Sequence, residues 1–258
     1  MSYYCDRYPI IEKKTLSKDT YSMTIYAPEA AKAAHAGQFA TITAPGFTLR
    51  RPISICEFSR SKGTIRFVFE VRGKGTEAIS RLNPGDNLDV LCPLGNGFTV
   101  PDSARRVVLV GGGIGVPPLL ALAKKLGDRS TAILGFRDYS RIILADEFEA
   151  YGANTAICTD DGSVGYHGLV TEPLANTLKN VGADLVCACG PTPMLNAIAK
   201  VCAENDVPCK VSMEQRMGCG VGACVVCSCL TVRNGQEYYA RVCKDGPVFD
   251  AKEVKFNG

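Results

Sequence analysis

Short runs of alternating apolar and polar residues fill positions 1–101: Tyr21 to Tyr26 (YSMTIY), Phe39 to Thr43 (FATIT) and Thr64 to Val71 (TIRFVFEV). A period of two belongs to strands with one face in a core and the other toward water. Pro45-Gly46, Asn83-Pro84-Gly85-Asp86 and Asn96-Gly97 punctuate the runs as turns, so this region predicts a small antiparallel β-barrel. From Arg105 the texture changes. Continuous apolar runs lead into helical stretches: VVLV into PPLLALAKKL, TAILGF into ADEFEAYG, and DLVCAC into PTPMLNAIAKVCAEN. Such alternation predicts a parallel sheet covered by helices. From about Lys210 the helical pattern stops, and a short glycine- and cysteine-rich segment follows. The expected organisation is therefore three units, residues 1–101, 102–209 and 210–258.

Composition narrows the function classes. The chain has 258 residues, 46% hydrophobic and 21% charged, with a net charge of +3, which supplies no electrostatic reason for nucleic acid or an anionic membrane as partner. The uncharged run from Val107 to Ala123 falls short of the ~20 residues of a membrane helix. Its four glycines and two prolines read better as a strand, a turn and a helix. The start, MSYYCDRYPIIEKK, lacks the basic and apolar regions of a signal peptide. Thirteen cysteines in that context predict a reducing compartment, the cytoplasm, where clustered thiols bind metal rather than form disulfides.

The densest cluster is MGCGVGACVVCSC, residues 217–229. Cys219, Cys224 and Cys227 have C-x4-C-x2-C spacing, and Cys243 follows after fifteen intervening residues. This is the plant-type ferredoxin arrangement, in which four thiolates hold a [2Fe-2S] cluster. Gly218, Gly220 and Gly222 let the loop curl close enough for backbone N–H groups to reach sulfur. A four-cysteine zinc site and a merely buried thiol cluster are the competing readings. Cys229 breaks the spacing and reads as a bystander on the following strand.

Two strand ends carry a dinucleotide signal. Gly111, Gly112, Gly113 and Gly115 follow VVLV and precede Pro117-Pro118, so backbone amides and a helix N-terminus stand ready for a pyrophosphate. Val116 stands where the usual fingerprint has its third glycine, and a ligand-free tight turn is the alternative. Cys189, Gly190 and Pro191 end a second strand, and in open parallel sheets such ends flank ligands; Cys189 reads equally as a core thiol. In the first unit, Arg51-Pro52-Ile53-Ser54 ends a strand. Gly75 and Thr76 precede an expected helix from Glu77 to Leu82 that Thr76 would cap. His35 and His167, the two histidines, have no metal-site partners in sequence.

In combination, RPIS at 51–54, GKGT at 73–76, PLGNGF at 93–98, GGGIGVPP at 111–118, CGPTPM at 189–194, CGVGACVVC at 219–227 and CKDGPVF at 243–249 resemble the ferredoxin reductase superfamily. More narrowly, they resemble the electron-transfer subunits of bacterial NAD-dependent dihydroorotate dehydrogenases. The resemblance spans nearly the whole chain. It implies an FAD-binding β-barrel, a Rossmann-like NAD domain and a C-terminal [2Fe-2S] domain. Arg51, Pro52, Ile53 and Ser54 would line the FAD, with Ser54 near the flavin ring and Cys189 close by. Val68, Phe69 and Glu70 would follow on the next strand, and Gly75 and Thr76 would meet the pyrophosphate. Glu70 stands where relatives carry arginine, which implies a backbone contact, and Ile53 replaces a stacking tyrosine.

The resemblance implies that dihydroorotate is oxidised at FMN in a separate catalytic subunit, and that electrons pass singly through the cluster to FAD and as hydride to NAD+. It implies a heterotetramer of two subunits of each kind. Related flavin and iron-sulfur subunits of a hydrogenase, a sulfide dehydrogenase or a transhydrogenase share every cofactor motif. A zinc-binding or redox-sensing module is the alternative of another class. Gly135-Phe136-Arg137-Asp138 leaves NAD against NADP open, since Asp138 suits a free ribose hydroxyl and Arg137 a phosphate; the family implies NAD.

Overall fold

The computed structural model describes residues 3–256. Six strands close into an antiparallel barrel in the order β1-β2-β5-β4-β3-β6. They are β1 (Tyr4–Ser17), β2 (Thr20–Tyr26), β3 (Phe39–Thr43), β4 (Arg50–Ser59), β5 (Thr64–Glu70) and β6 (Asn87–Leu94). Helices α1 (Pro28–Ala33) and α2 (Lys74–Ser80) lie in the connections. The alternation behaves as expected on β5, where Ile65, Phe67 and Phe69 fill the barrel interior. Its outer face is also covered. Val68 and Cys56 pack with Leu119, Leu120 and Val107 of the next unit, so β4 and β5 form the wall against which that unit docks.

The second unit is a seven-stranded sheet in the order β10-β9-β8-β7-β11-β12-β15. Its parallel strands are β7 (Val107–Gly112), β8 (Ser130–Phe136), β9 (Asn154–Thr159), β10 (Tyr166–His167), β11 (Leu185–Cys189) and β12 (Cys209–Ser212). Helices α3 (Pro117–Leu126) and α4 (Ala145–Ala150) cover one face, and α5 (Thr171–Asn180) and α6 (Thr192–Glu204) the other. The continuous apolar run of β7 follows from that sandwiching. Val108 and Val110 face the α5/α6 side, while Val107 and Leu109 face the α3 side.

The third unit contains the hairpin β13 (Ser228–Arg233) and β14 (Gln236–Arg241). Asn234 and Gly235 turn it at φ of 52° and 77°, as a two-residue hairpin turn requires. The chain then returns to the second unit. β15 (Val248–Asp250) pairs antiparallel with β12 and closes the sheet edge. The expected boundary between 209 and 210 therefore falls inside β12, and residues 248–250 belong to the sheet of the second unit. Strand pairing between distant segments overrides the local change in texture.

Helix α2 also differs from expectation. It starts at Lys74, so Thr76 lies inside its first turn and does not cap it. The Thr76 hydroxyl accepts from the N–H groups of Arg72 (3.0 Å) and Gly73 (3.3 Å) and folds the preceding turn onto the helix.

The barrel and the sheet are joined by charge as well as by apolar packing. Arg66 on β5 grips Glu147 of α4 through two hydrogen bonds of 2.5 and 2.9 Å, and its Nε donates to Ser22 Oγ at 2.8 Å. Glu57 on β4 accepts from Lys124 of α3 and from the Tyr151 hydroxyl. Arg141, after β8, reaches back to Asp19 at 2.6 Å.

Candidate functional site

The cysteine loop is built by glycine. Gly220 and Gly222 have φ of 73° and 86°, which suit glycine, and the space beside each is filled. A Cβ on Gly220 would meet Thr41 Cγ2 of β3 at 2.7 Å, and one on Gly222 would meet Lys244 Cδ at 2.6 Å. The loop so formed turns its N–H groups inward. Those of Val221 (3.4 Å), Ala223 (3.3 Å) and Cys224 (3.4 Å) donate to Cys219 Sγ, and that of Cys219 donates to Cys224 Sγ at 3.3 Å. Burial opposes ionisation of Cys219, but these donors outweigh it and bring the thiol down to about 6. The Cys243 N–H donates to Cys227 Sγ at 3.4 Å.

The four thiols therefore form two pairs, Cys219 with Cys224 and Cys227 with Cys243. Among the described residues, no group of three or more His, Cys, Asp or Glu side chains is arranged to hold a single metal ion. Two pairs of cysteines with N–H donors on sulfur fit a cluster with two metal centres. Thr41 Oγ1, buried against this loop, has no protein partner and is free to donate there. Cys227 and Cys243 are buried, whereas Cys224 is exposed among exposed Val221, Val225 and Val226. Cys229 lies in β13 opposite Ala240, with burial pushing its thiol up to about 11.

A cavity opens beside this loop. Pro52, Ile53 and Ser54 of β4, the end of β5 from Val68 to Glu70, and Thr76 form its barrel side. The Val68 and Phe69 side chains are taken up by the two cores, so they meet the cavity mainly through backbone. Cys189 closes the cavity from the end of β11, its thiol pushed up to about 12 by burial. The remaining wall was not foreseen. Met213, Glu214, Gln215 and Met217, which lead into the cysteine loop, line the cavity together with Phe39 and Pro247. Its place on the barrel wall and its mixed apolar and polar lining fit a flavin, and its last wall is continuous with the cysteine loop.

A larger cleft runs over the ends of β7, β8 and β11, lined by Gly112, Gly113, Ile114, Gly115, Gly190 and Pro191. Gly113 has φ of 53° with nothing within 4 Å of a Cβ position, leaving its backbone open to a ligand at the start of α3. Gly115 serves a different need. A Cβ there would lie 2.3 Å from the Cys189 carbonyl oxygen, so this glycine lets the turn rest on the end of β11. Arg137 and Arg141 line the same cleft with Asp160. Asp138 does not line it; its carboxylate accepts from Ser140 N at 2.8 Å.

Three residues expected at the cofactors stand back from both cavities. Arg51 places its guanidinium over Phe47, 5.1 Å from the ring centroid, and against Gly75, where a Cβ would meet its Nε at 2.2 Å. Gly75 is thereby covered. Gly111 packs under Val116, whose Cγ2 would lie 2.8 Å from a Cβ. Glu70, expected to act through its backbone, has a working side chain: its carboxylate accepts from Arg72 at 2.7 Å and Arg141 at 3.4 Å. Glu70, Arg72, Ile114 and Glu214 line both the cavity and the cleft, so the two meet there. His35 and His167 line neither.

Comparison with known proteins agrees with this geometry. Residues 7–98 match the oxidoreductase FAD-binding domain family, and residues 214–255 match the iron-sulfur cluster binding domain of dihydroorotate dehydrogenase B. The electron transfer subunit of dihydroorotate dehydrogenase B (NAD(+)) from Bacillus caldolyticus is 39% identical over 96% of this chain and 98% of its own. That of Geobacillus thermodenitrificans is 40% identical with the same coverage. Among solved structures, one described as NADH-dependent reduced ferredoxin-NADP oxidoreductase superposes with a TM-score of 0.87 at 32% identity, over 98% of this chain and 91% of that one. The ferredoxin reductase of a carbazole 1,9a-dioxygenase shares the fold alone, with a TM-score of 0.68 at 18% identity over 81% of this chain and 68% of its own. With a barrel-side flavin cavity, a dinucleotide cleft and a paired cysteine quartet in one chain, and with this identity along nearly its full length, the protein belongs to the family of electron transfer subunits of dihydroorotate dehydrogenase B (NAD(+)).

Proposed function

We propose that this chain carries electrons from a separate FMN-containing subunit that oxidises dihydroorotate, through a [2Fe-2S] cluster on Cys219, Cys224, Cys227 and Cys243 and an FAD in the barrel-side cavity, to NAD+ in the cleft. When bound, the cluster supplies single-electron transfer and the flavin converts single electrons into a hydride pair. One observation carries the reading: the cavity shares Glu70, Arg72, Ile114 and Glu214 with the cleft, and shares its Met213–Met217 wall with the cysteine loop.

The protein's part is placement. Pro52, Ile53 and Ser54 present the β4 edge to the flavin, and Ile114 stands between flavin and nicotinamide. The open backbone at Gly113 would receive the pyrophosphate of the dinucleotide. Cys189 is held as a neutral thiol by burial, so it offers shape at the flavin and no charge. The inward N–H groups of the cysteine loop stabilise negative charge on sulfur. Exposed Val221, Val225 and Val226 around Cys224 form the surface where the partner subunit would exclude water from the cluster.

We assign the working assembly as two copies of each subunit, in the cytoplasm. None of the thirteen cysteines is in a disulfide, which supports a reducing compartment. Among the described residues, no helix is long and apolar enough to cross a membrane. The full-length likeness to a ferredoxin-NADP oxidoreductase favours one second reading, in which the same relay serves a different partner.

The test is the visible spectrum of anaerobic protein co-purified with the catalytic subunit. Flavin and iron-sulfur bands that bleach with NADH in the chain alone, and with dihydroorotate only when the partner is present, are expected. A colourless chain, or bleaching by NADH with none by dihydroorotate in the complex, would overturn the reading.

A further inference from the structure

The fold brings together two motifs noted in the sequence, PLGNGF at 93–98 and CKDGPVF at 243–249, the second of which begins at the candidate cluster ligand Cys243. Asn96 Nδ2 donates to the carbonyls of Lys244 at 3.0 Å and Asp245 at 3.2 Å, and the Asn96 N–H donates to the Gly246 carbonyl at 2.6 Å. Asn96 and Pro247 form an isolated parallel bridge. Gly95, at φ of 70°, is pressed into the same contact, since a Cβ would meet Pro247 Cδ at 2.6 Å and Phe39 Cε1 at 2.9 Å. Behind it, Gln38 Nε2 donates to the Gly95 carbonyl at 2.8 Å. The half-buried Asn96 side chain thus satisfies the carbonyls of two consecutive residues in the cluster segment, and its backbone N–H satisfies that of the third.

The position of this staple gives it significance. Phe39 and Pro247 both line the flavin cavity, and Cys243 lies four residues before Pro247 on the same strand of chain. The stapled segment therefore runs from the cavity wall to one of the four thiols. It is tied onward as well. Asp245 Oδ2 accepts from Arg241 N at 2.8 Å, and Arg241 Nη1 donates to the Gly222 carbonyl at 3.0 Å, inside the cysteine loop. Barrel, tail and loop form one hydrogen-bonded chain.

We propose that Asn96 is a positioning residue for electron transfer, fixing the cysteine quartet against the flavin cavity. The inference rests on the relay reading above. Electron transfer depends steeply on separation and orientation, so a loosened segment slows the step without altering either cofactor. The balance of that step is simple: NADH would give its hydride to the flavin and leave as NAD+, one electron would then pass to the cluster held by the quartet with a proton released to solvent, and the second electron would stay on the flavin.

The test follows both absorptions by anaerobic stopped flow on the assembled protein. In Asn96→Ala, NADH should bleach the flavin at the wild-type rate, with iron content and cluster potential unchanged, while cluster bleaching slows on the order of tenfold. Asn96→Gln, which keeps the amide donors, should recover most of that rate. Equal cluster bleaching in Asn96→Ala and wild type overturns the staple, whereas a wild type without flavin or cluster bands overturns the relay reading instead. If the alanine variant does not assemble, hydrogen exchange in the wild type decides. An Asn96 N–H protected like the sheet amides supports the staple, and one exchanging like an open loop overturns it.

Discussion

Replacing Arg66 by alanine should undock the nucleotide-binding unit from the barrel wall, at a cost that the geometry lets one work out. Arg66 is only 14% exposed and makes three side-chain hydrogen bonds, two of them charge-assisted to Glu147. Charge-assisted bonds contribute about 1.5–3 kcal/mol each, but Glu147, at 37% exposure, turns to water once its partner is gone, which returns part of that. Glu57, 3.7 Å from the guanidinium, keeps Lys124 and Tyr151. The net loss for Arg66→Ala should be about 2–3 kcal/mol, and the coupling to Glu147→Ala about 1–2 kcal/mol. Urea unfolding of the wild type, the two single variants and the double variant measures both. A coupling near zero, with Arg66→Ala within about 0.5 kcal/mol of wild type, would refute the clamp and leave the docking to the apolar contact of Val68, Cys56 and α3 and to the Glu57 and Arg141 bonds.

Serine at Cys219, Cys224, Cys227 or Cys243 should abolish the cluster, while Cys229→Ser retains it; iron per chain and the visible spectrum report this. Gly115→Ala places a Cβ 2.3 Å from the Cys189 carbonyl oxygen, with backbone as the only neighbour to yield. It should cost about 1–3 kcal/mol of stability and raise KM for NADH more than it lowers kcat. Burial alone would raise the Glu57 carboxyl, but the hydrogen bonds from Lys124 and Tyr151, and the Lys124 and Arg66 charges, hold it below its ordinary value. Its stabilisation is therefore present above the ordinary carboxylate range and is lost as pH falls through the lowered one. The stability gap between wild type and Glu57→Gln should hold level in urea unfolding from pH 7 to about 5 and narrow as pH is taken on to about 3.

Much of the architecture was legible because it is local. PPLLALAKKL forms α3 without a residue to spare, and the glycine turn before it and the cysteine spacing are both contiguous patterns. What escaped depends on distant pairing. β1 is fourteen residues long and mostly exposed, with charges at Glu12, Lys13 and Lys14, so it shows no apolar alternation; its place comes from β2 and β6. β15 joins a sheet that the preceding segment leaves at residue 212. The cavity wall is similarly non-local, since Met213 and Pro247 reach the flavin side only after the cysteine segment folds back. Arg66, Glu57 and Glu147 look like ordinary surface charges until the two units meet. The position of Arg51 is likewise non-local, since its guanidinium lies over Phe47 and against Gly75, which are distant from each other in sequence.

The quartet is asymmetric, and the asymmetry orders the path. Cys227 and Cys243 are buried on the side where the tail runs to the cavity wall, while Cys224 is exposed among three exposed valines. A cluster on these four thiols would lie between the buried pair, toward the tail that reaches the cavity wall, and the exposed face at Cys224. A freely solvated outer side would be open to oxidants, and exposed valines are a cost to a chain that remains alone. Both are resolved if the outer face is closed by another protein, so the same feature that makes the chain incomplete also gives its electrons an entry point. The shared wall residues Glu70, Arg72, Ile114 and Glu214 join the cavity to the cleft, so the proposed path would run from partner surface to quartet to cavity to cleft.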